Sequence, residues 1–126
     1  MNDAVMNFDL FVATKADHAR VTVAGHPTFE QVLSMLHLLG IDSGGWGHEV
    51  LLVDLRRVET EFTREQQFLI GQEAALSLAH LRKVASLVRP ERITRISEKA
   101  ARRNGTNVRV FGDERAALAW LRGAGG

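Results

Sequence analysis

The chain has 126 residues, no cysteine and a formal net charge of +1 at pH 7. This length suits one domain that buries its own core, and the lack of cysteine excludes disulfides, thiolate metal sites and a cysteine nucleophile. A net charge close to zero provides no general attraction to nucleic acid or to an acidic membrane surface.

The sequence contains no pattern typical of a targeting or membrane-spanning segment. The first residues, MNDAVMNFDLFV, carry acidic side chains and lack the basic region of a signal peptide. No apolar run approaches the roughly 18 residues that are needed to cross a bilayer. We therefore expect a single cytoplasmic domain over residues 1–126, with frayed ends at 1–4 and 123–126.

The first half of the chain predicts a hairpin, a helix and a central strand. NFDLFVATKADHARVTVAG alternates apolar and polar residues on both sides of KADHA, which is typical of two antiparallel strands joined by a turn. HPTFEQVLSMLHLLG predicts a helix that begins with a capping box between Thr28 and Gln31 and ends at Gly40. The nearly unbroken apolar run EVLLVDL, which ends near Asp54, predicts a strand covered on both faces.

The second half predicts helices that alternate with strands. TREQQFLIGQEAALSLAHL indicates a helix capped by Thr63 and Gln66, and KVASLV indicates a strand. ERITRISEKAARRNG predicts a third helix, NVRVF a last strand, and GDERAALAWLRG a final helix capped by Asp113. The order β-β-α-β-α-β-α-β-α indicates an α/β fold, with parallel pairing after the opening hairpin.

The glycine-rich stretch GIDSGGWGHE, from Gly40 to Glu49, is predicted to be a connection. A phosphate-binding loop runs from a strand into a helix, so that the amides of the helix N-terminus face the anion. This stretch instead follows a helix C-terminus, where the partial charge is negative. We expect Trp46 to fold back over an apolar edge.

Four segments resemble the STAS domains (sulphate transporter and anti-sigma factor antagonist): HPTFEQVLSML, EVLLVDLRRVETEFTREQ, RKVASLV and VRVFGDERAALAWL. The small stand-alone, SpoIIAA-like bacterial members are the closer match, from the first hairpin to Leu121. The resemblance implies a β-α superhelical sandwich with an N-terminal antiparallel hairpin, mostly parallel strands and four helices. It also implies a cytoplasmic regulatory or ligand-binding module that is not an enzyme.

The resemblance implies that Thr63 is the phosphorylation candidate. In anti-sigma factor antagonists a partner kinase phosphorylates a serine at the start of the helix after the central strand. Phe62 and Glu65 stand where that family has aspartate and glycine, and Glu59 and Glu61 would repel an incoming phosphate. The alternative is that Thr63 only caps a helix, which stabilises it by roughly 1 kcal/mol.

Two surfaces are candidates for binding. Open α/β sheets bind at the carboxyl ends of their strands, so a partner surface is expected there. Its predicted residues are Arg56, Arg57, Phe62, Thr63, Arg64 and Arg89. Leu69 and Leu76 form part of a second apolar stripe on the second helix, which predicts a wide core face, a homodimer interface or the lip of an apolar pocket.

The sequence predicts no catalytic residue, metal site or cofactor. Asp54 lacks the neighbouring carboxylates that magnesium would require, and we expect it to accept hydrogen bonds from loop amides. The five histidines have no ligand spacing. A basic stripe on the third helix is predicted at Arg92, Arg95, Lys99 and Arg102. Interleaved glutamates and missing aromatic residues favour a solvated face over a nucleic-acid site.

Two functional interpretations remain open. The first is a regulatory module that binds a protein partner or a second copy of itself. The second is a carrier or sensor of an apolar small molecule or lipid, held in a cleft between helices and sheet. An enzyme is the third and weakest interpretation.

Overall fold

The computed structural model describes residues 7–123, which contain one five-stranded sheet. The first two strands pair antiparallel and the others pair parallel, in the sequential order β1-β2-β3-β4-β5. The strands are β1 (Phe8–Thr14), β2 (Ala19–Gly25), β3 (Val50–Val58), β4 (Lys83–Leu87) and β5 (Val108–Phe111). The predicted α/β fold, with a hairpin followed by parallel strands, is therefore confirmed.

Four helices cover the sheet unequally. They are α1 (Phe29–Asp42), α2 (Arg64–Ser77), α3 (Ile96–Arg103) and α4 (Glu114–Arg122). Helices α1, α2 and α3 pack on one face of the sheet, here called the inner face, and α4 packs alone on the opposite, outer face. None of the helices described has both the length and the apolar character that crossing a bilayer requires.

The central strand β3 is buried on both faces, as its apolar run predicts. Leu51 and Val53 belong to the core under α1–α3, whereas Val50 and Leu52 belong to the core under α4. Successive side chains of a strand point to opposite faces, so only a nearly continuous apolar run can serve both cores.

The predicted helix caps form as expected. The Thr28 Oγ1 accepts a hydrogen bond from the amide of Gln31 at 3.1 Å, and the Gln31 side chain accepts one from the amide of Thr28 at 2.8 Å. The same reciprocal pair joins Thr63 and Gln66, at 3.1 Å and 3.0 Å. Asp113 caps α4 by accepting from the amide of Ala116 at 3.0 Å.

The prediction that α1 ends at Gly40 is wrong, because the helix continues to Asp42 and then into a short 3₁₀ turn. The absence of a side chain at Gly40 allows close helix packing and does not end the helix. A Cβ atom at this position would lie 2.3 Å from the carbonyl oxygen of Ser77, at the end of α2. The two helices could not approach so closely with any larger residue. Trp46 packs against the inner-face core, as expected for the glycine-rich connection.

The third helix also differs from its prediction. It begins at Ile96 rather than near Glu91, after a 3₁₀ turn and a left-handed Arg95 with φ of 62°. Arg92 therefore lies outside the helix, and its guanidinium donates to the carbonyl of Val58 at 2.7 Å. The predicted basic stripe is wrong in its first residue, since the carbonyl of Val58, at the end of β3, binds this arginine instead.

The expected frayed residues 1–4 and 124–126 lie outside the described residues. Gly123 was expected to fray with them, and this expectation is wrong. Its amide donates to the carbonyl of Ala119, and its own carbonyl accepts from the Nζ of Lys83 at 2.8 Å. Lys83 is buried and also donates to the carbonyl of Trp120 at 2.7 Å, so it caps the C-terminus of α4.

Candidate functional site

A cavity of about 570 Å³ lies between the inner face of the sheet and helices α1–α3. Such a volume falls within the range of small-molecule pockets, about 300–1,000 Å³. Strand residues form its floor: Val23, Val53, Leu55, Val84, Val108 and Val110. Ile70 and Ala74 of α2, Leu78 directly after it, and Met35 and Leu36 of α1 add further apolar walls. The interior is therefore suited to an apolar group.

A β-bulge in β3 shapes this cavity. Thr22 pairs with Asp54, but Ala24 pairs with Arg57, so β3 carries one extra residue between the two pairs. A bulge interrupts the strict alternation of side chains along a strand. Leu55 and Val58 consequently both line the cavity, although alternation alone would turn Val58 to the outer face.

The mouth of the cavity carries charged side chains. Arg92 is held by the carbonyls of residues 58–60, and Arg95 is held by Glu98 at 3.1 Å and by the carbonyl of Val110. Glu98 is itself buried and accepts from the amide of Val110 at 2.6 Å. These two guanidinium groups therefore fasten the loops around the opening.

Arg89 is held less tightly than Arg92 at the mouth, because its Nη2 donates to the carbonyl of Val58 at 3.4 Å and the Arg92 guanidinium donates to the same carbonyl at 2.7 Å. The Nε of Arg89 is shielded from solvent and has no hydrogen-bond partner among residues 7–123. The nearest carboxylates, those of Glu59 and Glu91, lie 3.7 Å and 3.9 Å from its nitrogens, beyond hydrogen-bonding distance. Leaving a buried donor unsatisfied costs about 1–3 kcal/mol. Arg89 is thus a cation at the cavity mouth whose guanidinium makes only long contacts with the protein.

An ion-pair cluster occupies the outer face beside α4. Asp54 is only 5% exposed and accepts hydrogen bonds from Arg20 at 2.8 Å and from the Arg56 guanidinium at 2.8 Å and 3.0 Å. Glu114 of α4 contacts both arginines, at 3.2 Å and 2.9 Å. The cluster therefore joins β2 and β3 to α4.

Two pKa values in this cluster are lowered. Burial by itself would raise the pKa of Asp54. The pKa is nevertheless lowered, because Arg56 donates hydrogen bonds from its side chain and its amide, and because Arg56 and Arg20 are positively charged. The pKa of Glu114 is lowered chiefly by its hydrogen bond to Arg20, against an opposing effect of burial. Both carboxylates are consequently held in their charged form.

Two solved structures share this architecture along almost their whole length. One is a DUF3478-family protein with a SpoIIAA-like fold from Shewanella loihica, with a TM-score of 0.57 and 19% identity over 96% of this chain and 98% of that one. The chain has the SpoIIAA-like fold. The other structure is an anti-sigma factor antagonist from Mycobacterium paratuberculosis, with a TM-score of 0.60 and 15% identity over 92% and 95% of the two chains. No protein-family model and no curated protein matches the sequence.

Within this SpoIIAA-like fold, Thr63 stands at the N-cap of the helix that follows the central strand. Its residue is exposed, and its Oγ1 accepts the capping hydrogen bond from Gln66. Phe62 precedes it and lines the cavity, and Arg64 is exposed in the first turn of α2. These three residues are consecutive at the start of α2.

The other predicted surface residues are distributed more widely. Arg89 lines the cavity on the inner face, whereas Arg56 belongs to the ion-pair cluster on the outer face. Arg57 is exposed at the position that pairs with Ala24. Leu69 and Leu76 are 39% and 79% exposed and lie outside the residues that line the cavity.

The structure corrects the prediction for Asp54. The residue lies inside β3, four positions before its end, and does not end the strand. Its partners are mainly guanidinium groups and one strand amide, that of Arg56, rather than loop amides. Arg20 and Glu114 were missed, because both lie far from Asp54 in sequence. A carboxylate directly after a run of buried apolar residues was the signal that a charged partner had to exist.

One serine and one histidine, Ser43 and His80, come together within residues 7–123. The Ser43 hydroxyl lies 2.7 Å from His80 Nε2, yet Ser43 is only 2% exposed, and no carboxylate within residues 7–123 hydrogen-bonds to His80. This pair joins the end of α1 to the segment after α2. In the same part of the chain, no three His, Asp or Glu side chains are grouped closely enough to hold a metal ion.

Proposed function

We propose that this chain is a non-enzymatic regulatory module of the cytoplasm that acts by binding a protein partner. The observation that carries the proposal is the match, over 92% of the chain, to an anti-sigma factor antagonist with a TM-score of 0.60. The exposed hydroxyl of Thr63 supports it, because a phosphate at a helix N-terminus is favoured by the helix dipole and would change the charge of a partner surface.

The proposed partner surface is centred on the start of α2. Phe62 would provide apolar contact area. Thr63 would provide the hydroxyl that is phosphorylated, and Arg64 would provide a positive charge. Arg57, Arg56 and Arg89 remain further proposed members of this surface, with Arg56 and Arg89 on opposite faces of the sheet. Leu69 and Leu76, farther along α2, are proposed as the face for a second copy of the chain.

Cross-linked pull-down from the native cells tests this surface. We expect Arg64→Glu to lose the partner that the wild type captures, because the substitution reverses the charge beside Thr63. Arg103→Glu makes the same charge change at an exposed position on α3 and should retain the partner. An identical set of captured proteins for all three forms would contradict the proposal.

The phosphorylation of Thr63 is tested in the same cells. Asparagine caps helices as well as threonine does, but it cannot accept a phosphate. Thr63→Asn should therefore fold normally and lose a phosphate that mass spectrometry detects on the wild type. Wild-type protein that never carries phosphate on Thr63 under any growth condition would remove the switch from the proposal.

The cavity supports a second candidate function, a carrier or sensor of an apolar small molecule. Its walls are largely aliphatic and its volume suits one ligand of modest size. Ala74→Phe would place a ring into this space from α2. We expect the substitution to abolish binding of an apolar probe while the helical content remains unchanged by circular dichroism. Equal binding by the variant would contradict this function.

A further inference from the structure

The cavity has a charge pattern that selects among apolar ligands. Five charged residues line it, and all come from the segments that form its mouth: Glu61, Arg89, Glu91, Arg92 and Arg95. The floor and walls are almost entirely aliphatic. A ligand that fits both regions has an apolar body and one polar end, rather than polar groups along its length.

The contacts of the charged residues at the mouth indicate whether the polar group of the ligand is positively or negatively charged. Arg92 and Arg95 are engaged by carbonyl groups and by Glu98. Glu61 and Glu91 are exposed, so water solvates them. Arg89 is held by longer contacts: its Nη2 donates to the carbonyl of Val58 at 3.4 Å, and its neighbouring carboxylates lie 3.7 Å and 3.9 Å away. A guanidinium with a free donor is best satisfied by an anion, and a planar carboxylate matches its geometry.

We propose that the cavity binds one aliphatic monocarboxylate, with its chain among the side chains of α2 and the sheet and its carboxylate accepting a hydrogen bond from the guanidinium of Arg89. This inference rests on the second candidate function and names its ligand class. It does not depend on the protein-partner surface at Thr63 and Arg64, which lies at the start of α2.

Isothermal titration with three probes tests the ligand class on the wild-type chain. Decanoate carries both the chain and the charge, decanol carries the chain alone, and acetate carries the charge alone. A hydrogen bond to a charged group contributes about 1.5–3 kcal/mol, so decanoate should bind at least about tenfold more tightly than decanol. Acetate should bind more weakly than both, because it buries almost no apolar surface.

Variants then assign the carboxylate to Arg89. Arg89→Met keeps most of the apolar stem and removes every donor, so it should reduce the affinity for decanoate to that for decanol. Arg103→Met removes the same charge from an exposed site on α3 that does not line the cavity, and its affinities should equal those of the wild type. Ala74→Phe should abolish the binding of both ten-carbon probes.

The possible results separate the inference from the function on which it rests. Equal affinities for decanoate and decanol, unchanged by Arg89→Met, would overturn the carboxylate ligand and leave an apolar carrier standing. Absence of binding by both probes would overturn the two together. Acetate binding as tightly as decanoate would also refute the inference. The comparison among probes uses only the wild-type chain, so it tests the ligand class even if Arg89→Met fails to fold.

Discussion

At the scale of single residues, Asp54 shows how a buried carboxylate is retained inside a core strand. Its two oxygens accept from Arg20 and from Arg56, and Glu114 compensates the second positive charge. Breaking one partner of a buried pair leaves an uncompensated charge, which costs more than the pair contributes when intact. The cluster therefore constrains the packing of α4 against β2 and β3, because each charge depends on the others.

Asp54→Asn should destabilise the fold by about 2 kcal/mol near neutral pH. This loss is smaller than the usual loss for a fully buried pair, because Arg56 still forms its ion pair with Glu114. The lowered pKa means that the carboxylate stabilises the folded state above about pH 4 and loses this effect as the pH falls through its folded-state pKa. The difference in free energy of unfolding between variant and wild type should accordingly shrink in acid.

Urea denaturation at about pH 7 and about pH 3 measures this difference. Asp9→Asn is the matched control, because Asp9 is an exposed carboxylate on β1, and its effect should stay within about 0.5 kcal/mol. A gap between Asp54→Asn and the wild type that is independent of pH would show that the charge of Asp54 contributes nothing.

At the scale of elements, two glycines determine how the inner-face helices pack. Gly40 of α1 lies against the backbone of Ser77 at the end of α2, and Gly71 of α2 lies against the backbone of Ser97 in α3. A Cβ at Gly71 would be 2.4 Å from the Ser97 carbonyl oxygen and 2.8 Å from the Ala100 Cβ. Backbone atoms cannot move aside as a flexible side chain can, so the helices would have to separate.

Gly71→Ala should therefore destabilise the protein by about 1–3 kcal/mol, the usual cost of overpacking. This result opposes helix propensity, which favours alanine over glycine by about 1 kcal/mol. Gly44→Ala provides the contrast, since a Cβ there would meet no heavy atom within 4 Å. Thermal unfolding followed by circular dichroism measures both, and a stabilised Gly71→Ala would refute the close packing of α2 and α3.

At the scale of the whole molecule, the helices leave apolar side chains on the surface. Leu38 and Ile41 of α1 are 58% and 64% exposed, and Leu69 and Leu76 of α2 are 39% and 79% exposed. Two packed helices that both expose leucine or isoleucine form a surface typical of protein association. Since the cavity is lined by other residues of α2, this surface and the cavity are separate features.

We expect the wild-type chain to associate as a homodimer through the exposed residues Leu69 and Leu76. Light scattering should give about twice the 14.0 kDa chain mass at high protein concentration. Replacing Leu76 by serine should shift the equilibrium to monomers, while Val12→Ser, at an exposed position on β1, should not. A wild type that stays monomeric at millimolar concentration would end the dimer hypothesis.

The sequence by itself determined the features that depend on neighbouring residues. Periodicity identified β3 as an interior strand, and the Thr-x-x-Gln pattern located the start of α1 and α2, because capping involves residues only three positions apart. The order of elements then predicted parallel pairing after the opening hairpin. Predictions failed where a contact between residues distant in sequence determines the local structure. Gly40 was misassigned because it packs against Ser77, and Arg92 was misassigned because it binds the carbonyl of Val58.

The candidate site was decided only by the tertiary structure. The cavity depends on a bulge at residues 55–56, which an apolar run does not reveal, and on the separation of α2 and α3 from the sheet. The free donor of Arg89 depends on which carbonyls and carboxylates come near it, and Arg20 meets Glu114 across 94 residues of chain. Local interactions select helices and strands, whereas unsatisfied groups and cavities arise only when those elements pack together.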